Sequence, residues 1–315
     1  MSAGTTIRVE GGTTPPSTRV APAARPRRRF RWQPAWLFMA PSLLILGVFV
    51  IYPILVSFWY SLHDWTIGAA VQPFVGLGNY VALTKDPQFW NALANTLELT
   101  VVSVGVLIVL GLGLALALVR DSAVTKIVRG AFFFPTIVSL TSIGLVWRFL
   151  LDPQLGLIAG VGSALGLPAV GWLQSTSLAL PAVIFVDIWK NAGFVMIILL
   201  GGLKSVPAER IEAGRIDGAG SLQLVRFITL PSIRPTLLFA TLILTIQSLQ
   251  LFDLVYVMTG GGPLFATDTL VTEVFREGFV NFKTGYASAI SWVLFALIML
   301  ISLLQLRIFR YNDVD

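Results

Sequence analysis

The chain has 315 residues, of which 56% are hydrophobic and only 12% are charged. Soluble domains carry about 25% charged residues, so much of this surface must face something other than water. The absence of cysteine excludes disulfides, thiolate metal sites and a cysteine nucleophile, and the single histidine, His63, excludes a metal site built from several histidines. The net charge of +6 does not point to nucleic acid, because the basic residues lie at the ends of apolar runs.

The N-terminal stretch is rich in Gly, Thr, Pro and Ala and ends in a basic run from Arg25 to Arg31. Such a segment lacks the apolar surface needed to fold alone, so we predict a disordered, basic cytoplasmic tail over residues 1–35. The run Arg27-Arg28-Arg29-Phe30 is slightly similar to a twin-arginine export signal. The apolar stretch after it is too long for a signal peptide, and no small-residue cleavage site follows.

Six apolar segments are long enough to span a membrane, which takes roughly 20 mostly apolar residues. They run over residues 36–61, 93–119, 130–150, 178–203, 236–258 and 286–309. The pattern predicts an all-α fold, a polytopic membrane bundle of six transmembrane helices over residues 36–310. Residues 311–315 would form a short cytoplasmic C-terminal tail.

The distribution of Lys and Arg sets the orientation of this bundle. With the N-terminus in the cytoplasm, 17 of the 22 Lys and Arg residues fall in the tail and the inner loops. The outer loops then contain only Lys85, Arg276 and Lys283. Cytoplasmic loops are enriched in Lys and Arg, so both termini are predicted to be cytoplasmic.

Polar groups at membrane depth are costly and usually face the interior of a bundle. In the fourth span Asp187 and Lys190 are three residues apart, share a helix face and can pair. The alternative is that they are only a self-neutralising structural pair. In the fifth span Gln250, Asp253 and Tyr256 recur every third residue and predict a polar stripe along an apolar helix.

The loop between the fourth and fifth spans is too polar to cross a membrane. Pro207 suits the first turn of a helix, Glu209 and Glu212 favour a helix start, and Gly218 suits a helix end. We predict a short helix along the inner membrane face, a turn, and a second helix that ends near Pro231. Such an element can pass motion from a soluble partner to the bundle, or it can simply be an amphipathic helix that stabilises the bundle.

Several motifs carry a resemblance to a known family. Glu212-Ala213-Gly214, Asp217-Gly218-Ala219 and Ile228-Thr229-Leu230-Pro231 resemble the EAA signature of permease subunits of binding-protein-dependent ABC importers. Further motifs resemble the sugar-type branch of that family: Gly76 to Tyr80, Asn95-Thr96-Leu97, Ile188-Trp189-Lys190, Gly193-Phe194, Gly202-Leu203, Phe252-Asp253 and Tyr256 to Pro263. The similarity covers roughly residues 36–310. Gly214 stands where the family usually has Ala, and because Gly costs about 1 kcal/mol in a helix interior, we expect a looser helix here.

The resemblance implies that residues 204–235 form a coupling loop that docks on a cytoplasmic ATPase. The residues assigned to this contact are Glu209, Glu212, Ala213, Gly214, Asp217, Gly218 and Ala219. It further implies two copies of that ATP-binding subunit, a second homologous permease subunit and an extracytoplasmic solute-binding protein, assembled in the inner membrane of a bacterium. The transported solute would be a carbohydrate or a glycerol phosphate.

The resemblance also implies a solute site among helices four to six. We assign to this pathway Asp187, Trp189, Lys190, Asn191, Gln247, Gln250, Asp253 and Tyr256. In the outer loop after the fifth span, Gly260-Gly261-Gly262-Pro263 can adopt backbone conformations that residues with side chains rarely adopt. We expect this loop to contact the binding protein. The alternative is a passive connector.

No enzymatic activity is predicted for the chain itself. The nearest match to a phosphate-binding loop, Gly201-Gly202-Leu203-Lys204-Ser205, lacks the Gly before Lys and ends a membrane helix. The chain is therefore expected to bind no cofactor, with ATP and Mg²⁺ acting through the partner ATPase. His63 lies in an outer loop and is expected to be a solvated side chain.

The predicted mechanism is alternating access, in which ATP binding to the partner moves the coupling loop and opens the bundle outward. Three alternatives remain. An ion-coupled secondary transporter would have inverted repeats and broken helices, a membrane enzyme would have clustered catalytic residues, and a scaffold would support no ATP-dependent flux.

Overall fold

The computed structural model describes residues 35–311 and, in addition, Gly4. The predicted N-terminal tail and residues 312–315 of the predicted C-terminal tail otherwise lie outside the described residues. The described chain is helical, and its one β-type contact is an isolated bridge between His63 and Phe74. The prediction of an all-helical fold is confirmed.

The chain divides into a short unit that ends at Ile51 and a long unit that begins at Tyr52. The described part of the short unit contains helix α1 (Ala35–Leu46) and a π-helical turn over Gly47–Ile51. The helices of the long unit are α2 (Tyr52–Ser61), α3 (Gly78–Lys85), α4 (Pro87–Ala117), α5 (Ala123–Ile137), α6 (Leu140–Leu150), α7 (Leu157–Ala164), α8 (Ala179–Lys204), α9 (Ala208–Ile216), α10 (Ser221–Leu224), α11 (Leu230–Ser232), α12 (Arg234–Leu249), α13 (Asp253–Met258), α14 (Leu270–Phe275) and α15 (Thr284–Tyr311). Two further π-helical turns cover Val225–Thr229 and Arg276–Val280.

Among the described residues, four helices are long and apolar enough to cross a membrane: Phe38–Ser61, Pro87–Ala117, Ala179–Lys204 and Thr284–Phe309. Two further candidates are bent pairs, α5 with α6 at 97° and Ser221–Ser232 with α12 at 72°. Counting each bent pair as one span gives six. These numbers rest on helix length and composition.

The predicted third span, residues 130–150, is not one continuous helix. Pro135 lacks the N–H that would continue the helical ladder, and α5 ends two residues later. The backbone of Val138 is extended (φ −78°, ψ 142°), and α6 then leaves in a new direction.

The predicted fifth span, residues 236–258, is not one helix either, and the predicted polar stripe along it is wrong. Helix α12 ends at Leu249 and α13 begins at Asp253, so Gln250, Asp253 and Tyr256 do not form a stripe on one helix. The break contains neither Pro nor Gly. It brings Leu251 into the buried apolar core, so tertiary packing rather than local sequence ends the helix here.

Helix α8 is the central helix and packs against α4 and α5. Glycines allow the close approach: a Cβ at Gly111 of α4 would lie 2.6 Å from Val195, and one at Gly193 of α8 would lie 2.0 Å from the carbonyl oxygen of Phe132. No side chain fits at either place, which is how small residues let membrane helices pack tightly. Gly113, two residues further along α4 and on its opposite face, is exposed.

Candidate functional site

A cavity of about 430 Å³ lies between the two helix breaks. Thr136 and Leu140 flank the break between α5 and α6, residues 250–252 form the break between α12 and α13, and Asp253 begins α13; all of them line the cavity. In membrane proteins, non-helical backbone is tolerated at membrane depth only where it is buried in protein or lines a water-filled cavity. The two breaks therefore mark this cavity as a polar opening inside the bundle.

Six of the eight residues predicted for the solute pathway line the cavity: Asp187, Lys190, Asn191, Gln247, Gln250 and Asp253. The other two do not. Trp189 packs edge-on against Trp147, with ring centres 5.5 Å apart, away from the cavity. Tyr256 stacks at 5.1 Å on Phe252, which itself lines the cavity.

The predicted pairing of Asp187 with Lys190 is wrong, because no ion pair joins them in the described structure. The Lys190 ammonium donates to the carbonyl of Thr136 at 3.3 Å, and the Thr136 hydroxyl donates back to the Lys190 carbonyl at 3.2 Å. The exchange ties the end of α5 to α8. Asn191 Nδ2 donates to Asp187 Oδ1 at 2.8 Å.

The second carboxylate oxygen of Asp187 is buried and has no hydrogen-bond partner among the described residues. The hydroxyl of Ser103 is likewise buried without a partner, and a buried polar atom in that state costs about 1–3 kcal/mol. The exposed amides of Gln247 and Gln250 add donors and acceptors. Phe194 and Phe252 add apolar faces. The cavity can thus bind hydroxyl groups and pack against C–H surfaces.

The segment of residues 204–235 has the predicted helix–turn–helix form. Pro207 precedes α9, Glu209 lies in the first turn, and Gly218 follows the helix with a φ of +83°, a conformation that favours glycine. The next helical stretch continues to Ser232, one residue after Pro231.

Gly214 does not loosen helix α9. It is buried, and a Cβ at this position would lie 2.4 Å from Cδ1 of Ile228 and 2.8 Å from Cδ2 of Leu224. The missing side chain lets the two arms of the segment pack directly on each other, so close packing replaces the loosening expected from helix propensity.

Most of the predicted coupling residues are exposed: Glu209, Glu212, Ala213, Asp217 and Gly218, with Ala219 partly exposed. Leu222 and Phe227 were missed by sequence reasoning and lie beside them. The exposed fraction is 81% for Leu222, 67% for Phe227 and 86% for Ile216. The hydrophobic character of these residues was visible in the sequence, but their exposure depends on how the two arms fold.

The start of the same segment belongs to an ion-pair network that sequence reasoning also missed. Asp121 binds Lys204 at 2.7 Å and Arg129 at 2.9 Å, and Arg129 donates to the carbonyl of Leu118 at the end of α4. The Lys204 ammonium and then the Arg129 guanidinium lower the pKa of Asp121 to about 2. Three helix ends, from α4, α5 and α8, are joined here.

The segment of residues 259–283 lies at the opposite end of α4. Asn95 Nδ2 donates to the Asp268 carbonyl at 2.9 Å, and the Leu270 N–H donates to Thr96 Oγ1 at 2.9 Å. The buried Asp268 carboxylate accepts from Arg276 at 2.5 Å. These contacts hold the segment firmly on the start of α4.

The loop predicted to contact the binding protein packs on these hydrogen bonds and on the Asp268–Arg276 ion pair. Gly260 and Gly261 have φ values of +63° and +88°, and a Cβ at Gly261 would lie 2.9 Å from Asp268 Oδ1. Next to Pro263, Leu264 is 87% exposed at the tip of the loop.

Glu273 is buried behind this loop. Burial, followed by the negative charge of Asp268, raises the pKa of its carboxyl to about 8.

His63 is buried too, at 8% exposure, with its Nδ1 2.8 Å from the Trp59 carbonyl oxygen and its ring against Trp59 and Phe74. The prediction of a solvated histidine is wrong, because aromatic residues of the same region cover it.

Residues 107–313 match the family model described as the binding-protein-dependent transport system inner membrane component. This chain belongs to that family. The permease is 34% identical over 280 residues to the probable ABC transporter permease protein YurN of Bacillus subtilis, covering 87% of this chain and 95% of the relative. It is 33% identical over 278 residues to the trehalose/maltose transport system permease protein MalF of Thermococcus litoralis, covering 88% and 94%.

Among solved structures, the permease resembles a chain of a bacterial alginate ABC transporter in complex with a pentasaccharide-bound periplasmic protein. The TM-score is 0.79 at 23% identity, covering 89% of this chain and 95% of that chain, and it establishes a shared fold.

Family membership confirms the predicted family and the multi-pass location in the inner membrane. It also removes the ion-coupled secondary transporter as an alternative. The family model covers the cavity, the 204–235 segment and the 259–283 segment. The permease is thus a transport subunit in a family that is generally not catalytic.

Proposed function

We propose that this permease forms half of the translocation pathway of an ATP-driven importer for a carbohydrate or glycerol-phosphate-type solute. It has six spans, each bent helix pair counting as one, and both termini are cytoplasmic. The single observation that carries the proposal is the polar cavity bounded by two helix breaks. The named solutes of relatives, trehalose and maltose for one and multiple sugars for another, support a carbohydrate.

The 204–235 segment is the proposed contact for two copies of a cytoplasmic ATPase subunit, one on this chain and one on a second, homologous permease. Its exposed charged residues surround the apolar side chains of Ile216, Leu222 and Phe227. Exposed apolar patches of this kind mark protein interfaces. ATP and Mg²⁺ act only through that partner.

The loop of Gly260, Gly261, Gly262 and Pro263 is the proposed contact for the extracytoplasmic binding protein. Its support on the buried Asp268–Arg276 pair gives a fixed surface for docking. Solute released there enters the cavity when ATP binding opens the bundle outward, and hydrolysis resets the bundle.

Because the chain contains no native cysteine, an introduced cysteine provides the single thiol of this subunit and can report on access to the cavity. In the assembled transporter, a Gln250→Cys variant carries a single thiol in the cavity. We expect maltose or trehalose, delivered with the cognate binding protein and ATP, to slow its modification by a hydrophilic maleimide. Gln174→Cys, an exposed glutamine outside the cavity lining, is the matched control and gains no protection.

Equal protection of both thiols would point to a general conformational effect. No protection of the Gln250→Cys thiol by any sugar or glycerol phosphate that stimulates the ATPase would contradict the proposed pathway.

A further inference from the structure

Three charged residues line the cavity: Asp187, Lys190 and Asp253. They differ in their exposure to a molecule inside the cavity and in the hydrogen bonds that they already make. Lys190, the only cation among the described residues of the lining, is buried, and its ammonium donates to the Thr136 carbonyl. Asp187 is also buried and is held by Asn191. Asp253 alone is exposed to the cavity.

The backbone adds no compensating charge. Each break brings one helix end and one helix start to the cavity, α5 with α6 and α12 with α13. The partial negative charge of a helix end and the partial positive charge of a helix start are equal in size, so they offset each other here. Side chains therefore decide the electrostatic character of this half of the pathway.

We propose that the cavity favours uncharged solutes over anionic ones and that Asp253 is the residue that sets this selectivity. The inference rests on the proposed function and narrows its solute class: a neutral carbohydrate fits, whereas a glycerol phosphate or a uronic acid does not. An anion in the cavity meets the exposed Asp253 carboxylate, whereas the ammonium among the described lining residues, that of Lys190, is buried and bonded to Thr136. Repulsion between the two negative charges raises the free energy of the anion in the cavity.

The proposed preference for uncharged solutes distinguishes the chain from a protein of the same fold. A structural neighbour, with a TM-score of 0.77 at 24% identity, belongs to a transporter that imports the acidic polysaccharide alginate. The shared fold does not fix the sign of the charge that passes through, because charge selectivity depends on single side chains on the lining.

The test measures charge selectivity directly and does not require the natural solute. In the assembled transporter, the Gln250→Cys thiol is modified with a cationic and with an anionic methanethiosulfonate reagent of similar size. The ratio of the two rates is divided by the same ratio for Gln174→Cys, which removes the intrinsic difference between the reagents. We expect the normalised ratio to favour the cation by roughly tenfold, the effect of one charge at close range in a partly screened site.

Adding Asp253→Asn should abolish most of this preference, and adding Asp253→Glu should retain it. A normalised ratio that favours the anion, or one that Asp253→Asn leaves unchanged, would overturn the proposal.

Uptake of maltotriose and of trigalacturonate by the assembled transporter separates this inference from the proposed function. Cation preference with maltotriose uptake supports both, and cation preference without uptake of any carbohydrate defeats the proposed function alone. Uptake of trigalacturonate at the rate of maltotriose or faster defeats the charge selectivity while leaving the permease function in place.

Discussion

Residues 204–235 and residues 259–283 both connect membrane helices, and each contains a π-helical turn, yet they differ in how many polar side chains they bury. The second segment buries its polar groups, among them Thr267, Asp268 and Glu273, and bonds to α4. The first segment buries only Thr229 among its described polar side chains. Both segments also expose large apolar side chains, such as Leu222 in the first and Leu264 in the second. In our proposal, the second segment is the fixed surface that the binding protein contacts, and the first is the surface that the ATPase moves.

The largest expected effect comes from breaking the 259–283 segment. Arg276→Met leaves the Asp268 carboxylate buried without its ion-pair partner, which costs about 3–5 kcal/mol. We expect a marked fall in the thermal unfolding temperature of the detergent-solubilised protein. Lys283→Met is the matched control: its ammonium lies 3.7 Å from Glu277 but is 61% exposed, so the loss is at most about 1 kcal/mol. Equal losses in the two variants would contradict this account.

A smaller effect is expected in the 204–235 segment. Gly214→Leu forces a side chain into the space held by Ile228 and Leu224, at a cost of about 1–3 kcal/mol. Because it separates the two arms of the segment, we expect it to reduce solute-stimulated ATPase activity of the assembled transporter more than it reduces the unfolding temperature.

Gly214→Ala is the control for that experiment. Its Cβ meets only the ends of two flexible side chains, and Ala gains about 1 kcal/mol in helix propensity, so coupling should be nearly normal. If both variants uncouple equally, the packing of the two arms is not what transmits motion.

The last effect concerns pH. The pKa of Glu273 is about 8 in the folded protein, against 4.5 for an ordinary Glu. Between these values the folded chain keeps a proton that the unfolded chain has lost, so this residue makes stability fall as pH rises from about 4.5 to about 8. Glu273→Gln stays neutral and should flatten that slope in unfolding temperatures measured across this range. An unchanged slope in Glu273→Gln would show that other groups cause it.

The membrane segments could be predicted from the sequence because roughly 20 consecutive apolar residues are needed to cross a bilayer. The helix breaks could be predicted only in part. Pro135 is a visible signal near the first break, whereas the second break has no Pro or Gly and arises because Leu251 packs into the core. Breaks of the second kind depend on contacts between distant segments and leave no local pattern.

The cavity residues were found because charges and amides at membrane depth must face a polar interior. Aromatic residues carry no such constraint, so Trp189 and Tyr256 pack against other rings instead. The Asp121–Lys204 pair joins residues 83 positions apart, and a single sequence cannot show such a contact.

The 97° bend between α5 and α6 assigns the two halves of one span to different neighbours. Helix α5 is pressed on α8 at Gly193, whereas α6 packs on α13, where a Cβ at Gly144 would lie 3.0 Å from Val257. The two halves of this span therefore contact different helices, α5 with α8 and α6 with α13. Since Thr136 and Leu140 lie on either side of the bend and line the cavity, a change in the angle between α5 and α6 would change the width of the cavity.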